Sequence, residues 1–567
     1  MLNDLFLGPL VMTYSTPRFA SLTRILAAAI VIGSVAMAPS RAVAAAFRTV
    51  ALTGQGAPGE PGGVNYLNFP NAPALNGNGQ TAFIGAVAGP SVTSANNLGV
   101  WSEGVGSLAL VARKGDQAAG ASVGENFSDF NAITLNDAGK TAFTGALSGW
   151  SVTGSNESGS WSEGSGSLAL VAREGNQAPG APVGVLHDSL FGPAPAFNDH
   201  GATAFFANLI GSGVTMANDT SILSNAGGAL AIIAREGSPA AGTPAGVNYG
   251  SLLDPVVLNN AGQTAFAGFL SGAGVTNANS NGLWAGAPNA LALVARSGDQ
   301  APGLEAGVIY ASFTVPAINA AGEVAFRASV VSAISLNDSG IWSQKPGGLA
   351  LIAHKGSQAP GAPSGVNFNL FEPPVLNDAR QVAFIAMLVG GGVSGTNNEG
   401  IWVEQSGSLA MIARRGDHAP GTPDGVHFGS FSLRRGTNAP ALNVAGQVAF
   451  QAMLTGGAVS SSNDAGIWAT DVAGTLRLVV REGDDLEVLP GDFRTVNALG
   501  FLGNAGNGDG RPSAFNGRGQ LAFLAWFSDG SRGIFVSSRV AVPEAGAGAL
   551  VGLGLAGVTL SRKRRVA

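Results

Sequence analysis

Nine residues recur eight times along this chain. The copies read LNGNGQTAF, LNDAGKTAF, FNDHGATAF, LNNAGQTAF, INAAGEVAF, LNDARQVAF, LNVAGQVAF and FNGRGQLAF, ending at Phe83, Phe143, Phe205, Phe266, Phe326, Phe384, Phe450 and Phe523. The intervals are 60, 62, 61, 60, 58, 66 and 73 residues. A period of this size marks one supersecondary unit, copied so that neighbouring copies cover each other's apolar faces. A second phrase, typified by LALVAREG from Leu168, recurs in step and is mostly followed by a version of DQAPG; between the two phrases sits a short GIWS-like piece.

The unit reads as four strands. Strand a ends in the Leu-Asn of the motif, strand b begins at its TAF, strand c is GIWS, and strand d is LALVAR. The Asn-x-x-Gly between a and b supplies a turn, since Asn and Gly tolerate positive φ. Strand d is apolar on both alternating faces, so a sheet containing it needs cover on both sides. The ends of the repeat region decide between an open stack and a ring. FRTVALTGQGAPG, Phe47 to Gly59, matches strand d and its tail, whereas the last unit stops after strand c (GIFV, Gly533 to Val536). Joining the first strand to the last unit completes eight four-stranded sets and leaves no open edge. The expected fold is all-β: an eight-bladed β-propeller of four-stranded antiparallel blades, closed by the N-terminal strand.

Composition narrows the functional classes. A net charge of −6 and the absence of a basic footprint argue against nucleic acid. Cysteine is absent, which excludes disulfides, thiolate metal sites and thiol nucleophiles, and five His make a His-rich metal cluster a poor expectation. No metal-hydrolase helix, paired catalytic carboxylates or Ser/His/Asp set stands out.

Both termini read as addresses. ILAAAIVIGSVAMA, Ile25 to Ala38, follows Arg18 and Arg24 and precedes an A-x-A site at Ala42 to Ala44. This is the pattern of a secretory signal peptide over 1–44, with cleavage between Ala44 and Ala45; the competing reading is an uncleaved anchor. The propeller is expected over 45–541. The tail, 542–567, begins Val542-Pro543-Glu544, continues into an apolar run and ends in Arg562, Lys563, Arg564 and Arg565. That order resembles the PEP-CTERM sorting signal of Gram-negative bacteria, with Ala545 standing where the motif has its second proline. The resemblance implies an exosortase-type sorting enzyme as partner, transient residence in the inner membrane, and a final place at the cell surface or in an exopolysaccharide matrix. The alternative is a plain C-terminal membrane anchor. The NxxGxxAF repeats are similar to those of a family of secreted bacterial proteins with varied C-terminal anchors.

Candidate binding residues are those that leave the repeat pattern. Six Trp (Trp101, Trp161, Trp284, Trp342, Trp402, Trp468) share one position on strand c and read as packing. Trp150 lies outside that pattern, in a b–c loop, where an indole can stack on a sugar ring. The b–c loops also carry Asn and acids, Asn397 among them; such oxygens suit Ca²⁺ and suit ordinary turns, so no cofactor is expected beyond a possible Ca²⁺. The Arg that ends most strands d (Arg113, Arg173, Arg235, Arg296, Arg414, Arg481, with His354 in one copy) forms either a cation ring or a set of local pairs to acids and turn carbonyls. GASVG at Gly120 and GLGLAG at Gly552 match hydrolase and dinucleotide patterns without the required context. In an antiparallel blade the long b–c and d–a loops share one face, which is where a partner is expected, with Trp150 and Asn397 as contacts. The leading reading is a secreted, non-enzymatic propeller scaffold that binds exopolysaccharide or protein; the alternative is a polysaccharide hydrolase or lyase on the same frame.

Overall fold

The computed structural model describes residues 47–332, 338–405, 407–431, 439–505 and 508–538. The signal-peptide junction at Ala44/Ala45 and the tail residues Val542 to Arg565 lie outside the described residues. Every described element is a strand, and the strands form eight antiparallel blades. Blade 2 shows the pattern most simply: a is Asn126–Leu135, b is Thr141–Ser148, c is Ser158–Ser162 and d is Ala169–Arg173. In most other blades strand a is broken into two pieces that both pair with b. The ring closes as its repeat arithmetic requires. Phe47–Leu52 pairs antiparallel with Arg532–Ser537, strand c of blade 8, from Phe47↔Ser537 to Leu52↔Gly533.

Each blade has an aliphatic face and an aromatic face, and the core lies between blades. At the first seam Ile84, Val100 and Ala112 of blade 1 pack on Phe127, Phe143 and Trp161 of blade 2. The motif Phe and the strand-c Trp are directly paired across strands (Phe143↔Trp161) with stacked rings 6.0 Å apart, and the strand-a aromatic Phe127 meets the Trp edge-on at 5.0 Å. Aromatic pairs of this geometry add stability beyond their buried area. Each of the six Trp is fully buried. The indole N–H of five of them donates to Pro58, Ala119, Pro302, Pro360 or Pro420, and that of Trp284 to Ala241, at 2.9–3.0 Å. The APG segments thus accept a bond that a buried indole needs. Strand d is outermost and only half covered, so the two-sided apolar cover expected for it is completed on b and c instead.

The motif Asn acts differently from expectation. Positive φ belongs to the fourth residue of the turn, as at Gly79 (81°), and in blade 6 to Arg380 (63°), not to the Asn. The Asn works through its amide. Asn76 Oδ1 accepts from the backbone N–H of Asn78 (3.0 Å) and Gln80 (2.9 Å), which forms the turn. Its Nδ2 donates to the carbonyl of Asn136, the same residue one blade on, at 3.0 Å. Asn136, Asn198, Asn259, Asn377 and Asn443 repeat the link at 2.8–3.0 Å. Asn516 then donates to Asn76 O at 3.0 Å, joining the last blade to the first. At Asn319 the amide turns instead to Glu323 Oε2, 2.8 Å away. A belt of buried amides therefore holds the inner ends of the blades together.

The last repeat carries an insertion, Asn504 to Pro512, that crosses the axis. It leaves blade 8 where strand a breaks. Asn504–Ala505 pairs in parallel with Ala441–Leu442 of blade 7. Asp509 O then accepts from Leu258 N of blade 4 (3.0 Å), Gly510 O from Phe197 N of blade 3 (2.9 Å), and Ser513 O from Leu75 N of blade 1 (2.8 Å). Asp509 and Ser513 are fully buried, and Arg511 pairs with Asp509. These partners all lie next to the a–b turns, so the chain seals its own channel at that end.

Candidate functional site

The loops divide between two faces. The c–d turn of blade 1 meets its a–b turn: Glu103 Oε2 accepts from Thr81 N and Oγ1 at 3.0 and 2.8 Å. The b–c and d–a loops share the opposite face. There, Arg113, Arg173, Arg235, Arg296, Arg414 and Arg481 each donate Nε to the carbonyl of a b–c Asn, at 2.9–3.3 Å. Arg113 also pairs with Glu60 (2.9 Å), Arg173 pairs bidentately with Glu125 (2.6 and 3.1 Å), and His354 meets Asp338 (2.9 Å). The Arg series thus binds the protein's own loops. The Arg173 guanidinium, helped by Ser151, holds the Glu125 carboxyl down at about 2.

The b–c Asn residues are similarly engaged. Asn397 Oδ1 accepts from Ser394 N (2.7 Å), its Nδ2 donates to Gly392 O (2.9 Å), and its carbonyl takes the Arg414 bond. Among the described residues no group of three or more His, Asp or Glu is placed to hold a metal ion. Trp150, in contrast, is 86% exposed. It stands in the b–c loop of blade 2 against Gly124 of the d–a loop, and its indole face is offered to solvent.

Trp150 is one of a set. Val123, Val183 and Met216 are 89–95% exposed and lie in loops entering or belonging to blades 2 and 3. The copies of Val123 and Val183 elsewhere are Gly62, Ala245, Ala306, Ser364 and Asp424. The repeat breaks internally at the same place. Strand c of blade 2 carries Ser160 where the other blades have Val100, Ile222, Leu283, Ile341, Ile401, Ile467 and Ile534. Thr144 sits directly across from it. On the facing side, blade 3 has His187 where six other blades have Tyr or Phe and blade 8 has Val496, and Leu223 in place of the Trp or Phe found in every other copy. The core at this seam shrinks to Ala172, Leu190, Phe205, Ala207 and Leu223. Strand a of blade 3 also peels away between Val185–His187 and Ala196–Phe197. The result is a cavity of ≈ 290 Å³ that runs from Ser160 of blade 2 past Leu190, Phe206 and Asn208 of blade 3 to Asp254 of blade 4. The signal available in the sequence was Ser160, the one polar residue in the strand-c column.

His187 is buried, with Nδ1 unpartnered, and desolvation pulls its pKa down to about 4. The unfolded chain, with an imidazole near 6.5, binds this proton first as pH falls. The group therefore subtracts stability progressively from pH 6.5 to 4. His187→Phe, which restores the side chain of Phe127 and Phe368, is expected to raise the melting temperature and to flatten its fall across that window. A parallel fall in both proteins would assign the acid sensitivity elsewhere.

The architecture is that of an eight-bladed propeller with a chain segment laid across its axis and an irregular seam at blades 2 and 3. The chain belongs to a family of unknown function (DUF7453), whose model matches residues 35–164 and 145–549. No curated protein is significantly similar to it in sequence. Solved structures that resemble it include a puromycin hydrolase (11% identity, TM-score 0.34, covering 81% of this chain and 58% of that one). A Trypanosoma rangeli sialidase (9%, 0.25, 72% and 54%) and an exo-β-1,3-galactanase from Clostridium thermocellum (11%, 0.23, 72% and 92%) are also similar. The chain spans about half the length of the sialidase. Likeness this distant does not bear on activity.

Proposed function

We propose that the chain is an exported, surface- or matrix-associated propeller that binds extracellular polysaccharide without cleaving it. The observation that carries the reading is the position of Trp150: an almost fully exposed indole on the long-loop face, flanked by Val123, on a face whose repeated Arg and Asn groups are engaged by their own loops. An aromatic face stacks on sugar C–H groups, and rigidly mounted loops are where proteins place binding groups. The residues that break the repeat toward solvent in blades 2 and 3 are Val, Trp and Met, which supply contact surface rather than proton transfer. The test is retention on a panel of acidic and neutral polysaccharides, with reducing ends assayed in parallel. Trp150→Ala is expected to weaken retention about tenfold, equivalent to ~1.4 kcal/mol, with an unchanged melting temperature. Release of new reducing ends by the wild type would replace this reading with a hydrolase or lyase.

The export and sorting signals belong to the same proposal. Replacing Arg562, Lys563, Arg564 and Arg565 by Gln is expected to change the processed form or the compartment in which the protein accumulates. An identical processed species in the same fraction would remove the basic cluster from the sorting signal.

A further inference from the structure

We propose that this cavity, which runs from blade 2 past blade 3 to blade 4, is a second binding site that takes a single neutral hexopyranose, such as the terminal ring of a glycan. It rests on the polysaccharide-binding reading for its biological sense but not for its chemistry. Three features define the site. The first is depth with an unanswered polar group: Ser160 is 2% exposed, lines the cavity, and its Oγ has no hydrogen-bond partner. A buried hydroxyl left unpaired costs free energy that a ligand hydroxyl recovers. The second is a mouth with two planar polar side chains, Asn208 and Asp254, both exposed and both lining the cavity. An amide and a carboxylate together donate to and accept from neighbouring hydroxyls. The third is an apolar wall of Leu190, Phe191 and Phe206 that suits the C–H face of a pyranose.

The polar groups thus lie at two depths around a greasy wall, which matches a ring bearing hydroxyls along its rim. An apolar ligand leaves Ser160 and Asp254 unanswered. A small amine satisfies Asp254 and leaves the deep hydroxyl unpaired. The volume lies near the lower end of ligand pockets, roughly 300 Å³, so it admits one ring rather than a chain. At the same position in blade 6, Ile401 is fully buried beside Ile385.

The probes are the methyl glycosides of glucose, galactose and mannose, titrated into the full chain by saturation-transfer NMR and calorimetry, with tetramethylammonium as the cationic comparator. At least one glycoside is expected to saturate. Ser160→Ile, the residue of five other blades, is expected to weaken it by about tenfold or more while keeping or raising the melting temperature. Leu190→Phe fills the cavity from the opposite wall and is expected to do the same, which guards against a fold defect in either variant. Trp150→Ala is expected to leave glycoside binding intact while reducing polysaccharide retention, so the loop-face reading and the cavity fail separately. Absence of saturable glycoside binding, wild-type affinity in both filled variants, or preferential binding of tetramethylammonium would each overturn the proposal.

Discussion

Deletion of residues 45–54 is expected to turn a soluble, cooperatively melting protein into one that aggregates or melts broadly. The strand removed from this segment, Phe47–Leu52, is the outer strand of blade 8, and its loss bares the full edge of Arg532–Ser537. It also removes Ala51 and Leu52, both 1% exposed, and the edge-on contact of Phe47 with Phe523 at 5.4 Å. Thr49 Oγ1 donates to Val488 O (2.6 Å), and Arg48 reaches across to Gly79 O and Glu103 of blade 1. The half-exposed Arg48 pair adds little; burial and backbone pairing together amount to on the order of 5 kcal/mol or more. The unpaired edge is in addition a template for association. Calorimetry and light scattering read both effects, and an unchanged cooperative transition in the truncated protein would contradict closure by this strand.

The second large effect is expected at the amide belt. Asn443 is fully buried; its Oδ1 accepts from Ala445 N and Gln447 N, and its Nδ2 donates to Gln447 Oε1 and Asn516 O, all at 2.9–3.1 Å. Asn443→Ala leaves the N–H and the Oε1 of buried Gln447 without their partner and takes from Asn516 O one of its two donors, the other being Gly519 N, at a cost of about 2 kcal/mol or more. Asn443→Asp keeps the turn acceptor but sets a carboxylate against two acceptors, and is expected to be no milder. Asn397→Ala, in an exposed turn, is the control and is expected to cost under ~1 kcal/mol. Equal losses at both positions in denaturant titrations would mean that the motif Asn is a turn residue and nothing more.

Those two positions show where a one-dimensional reading succeeds and stops. Ring closure was legible because it depends on counting: eight a–b–c sets need eight d strands, and Phe47 to Leu52 spells the missing one. The Trp column was legible because a position shared by six large aromatics is packing. The inter-blade half of the Asn role was not, since the bond joins side chain to backbone some 60 residues away and looks, locally, like ordinary turn chemistry. The axial plug was hidden for a related reason. A stretch of Gly, Asn and Asp in the last repeat resembles any surface loop until a closed ring creates the unpaired inner strands it can bond. The seam cavity is made by missing bulk, Leu223 for a Trp or Phe and Ser160 for an aliphatic residue, and absence of bulk has no motif.

The proposed binding is concentrated where blades 2 and 3 leave the repeat. Hydrogen exchange of the full chain with and without a retained polysaccharide tests this most directly. The expected result is added protection in the long loops around Val123, Trp150, Val183 and Met216, with the equivalent loops of blades 5 and 6 unchanged. Protection spread evenly round the ring, or confined to the a–b and c–d turns, would contradict it.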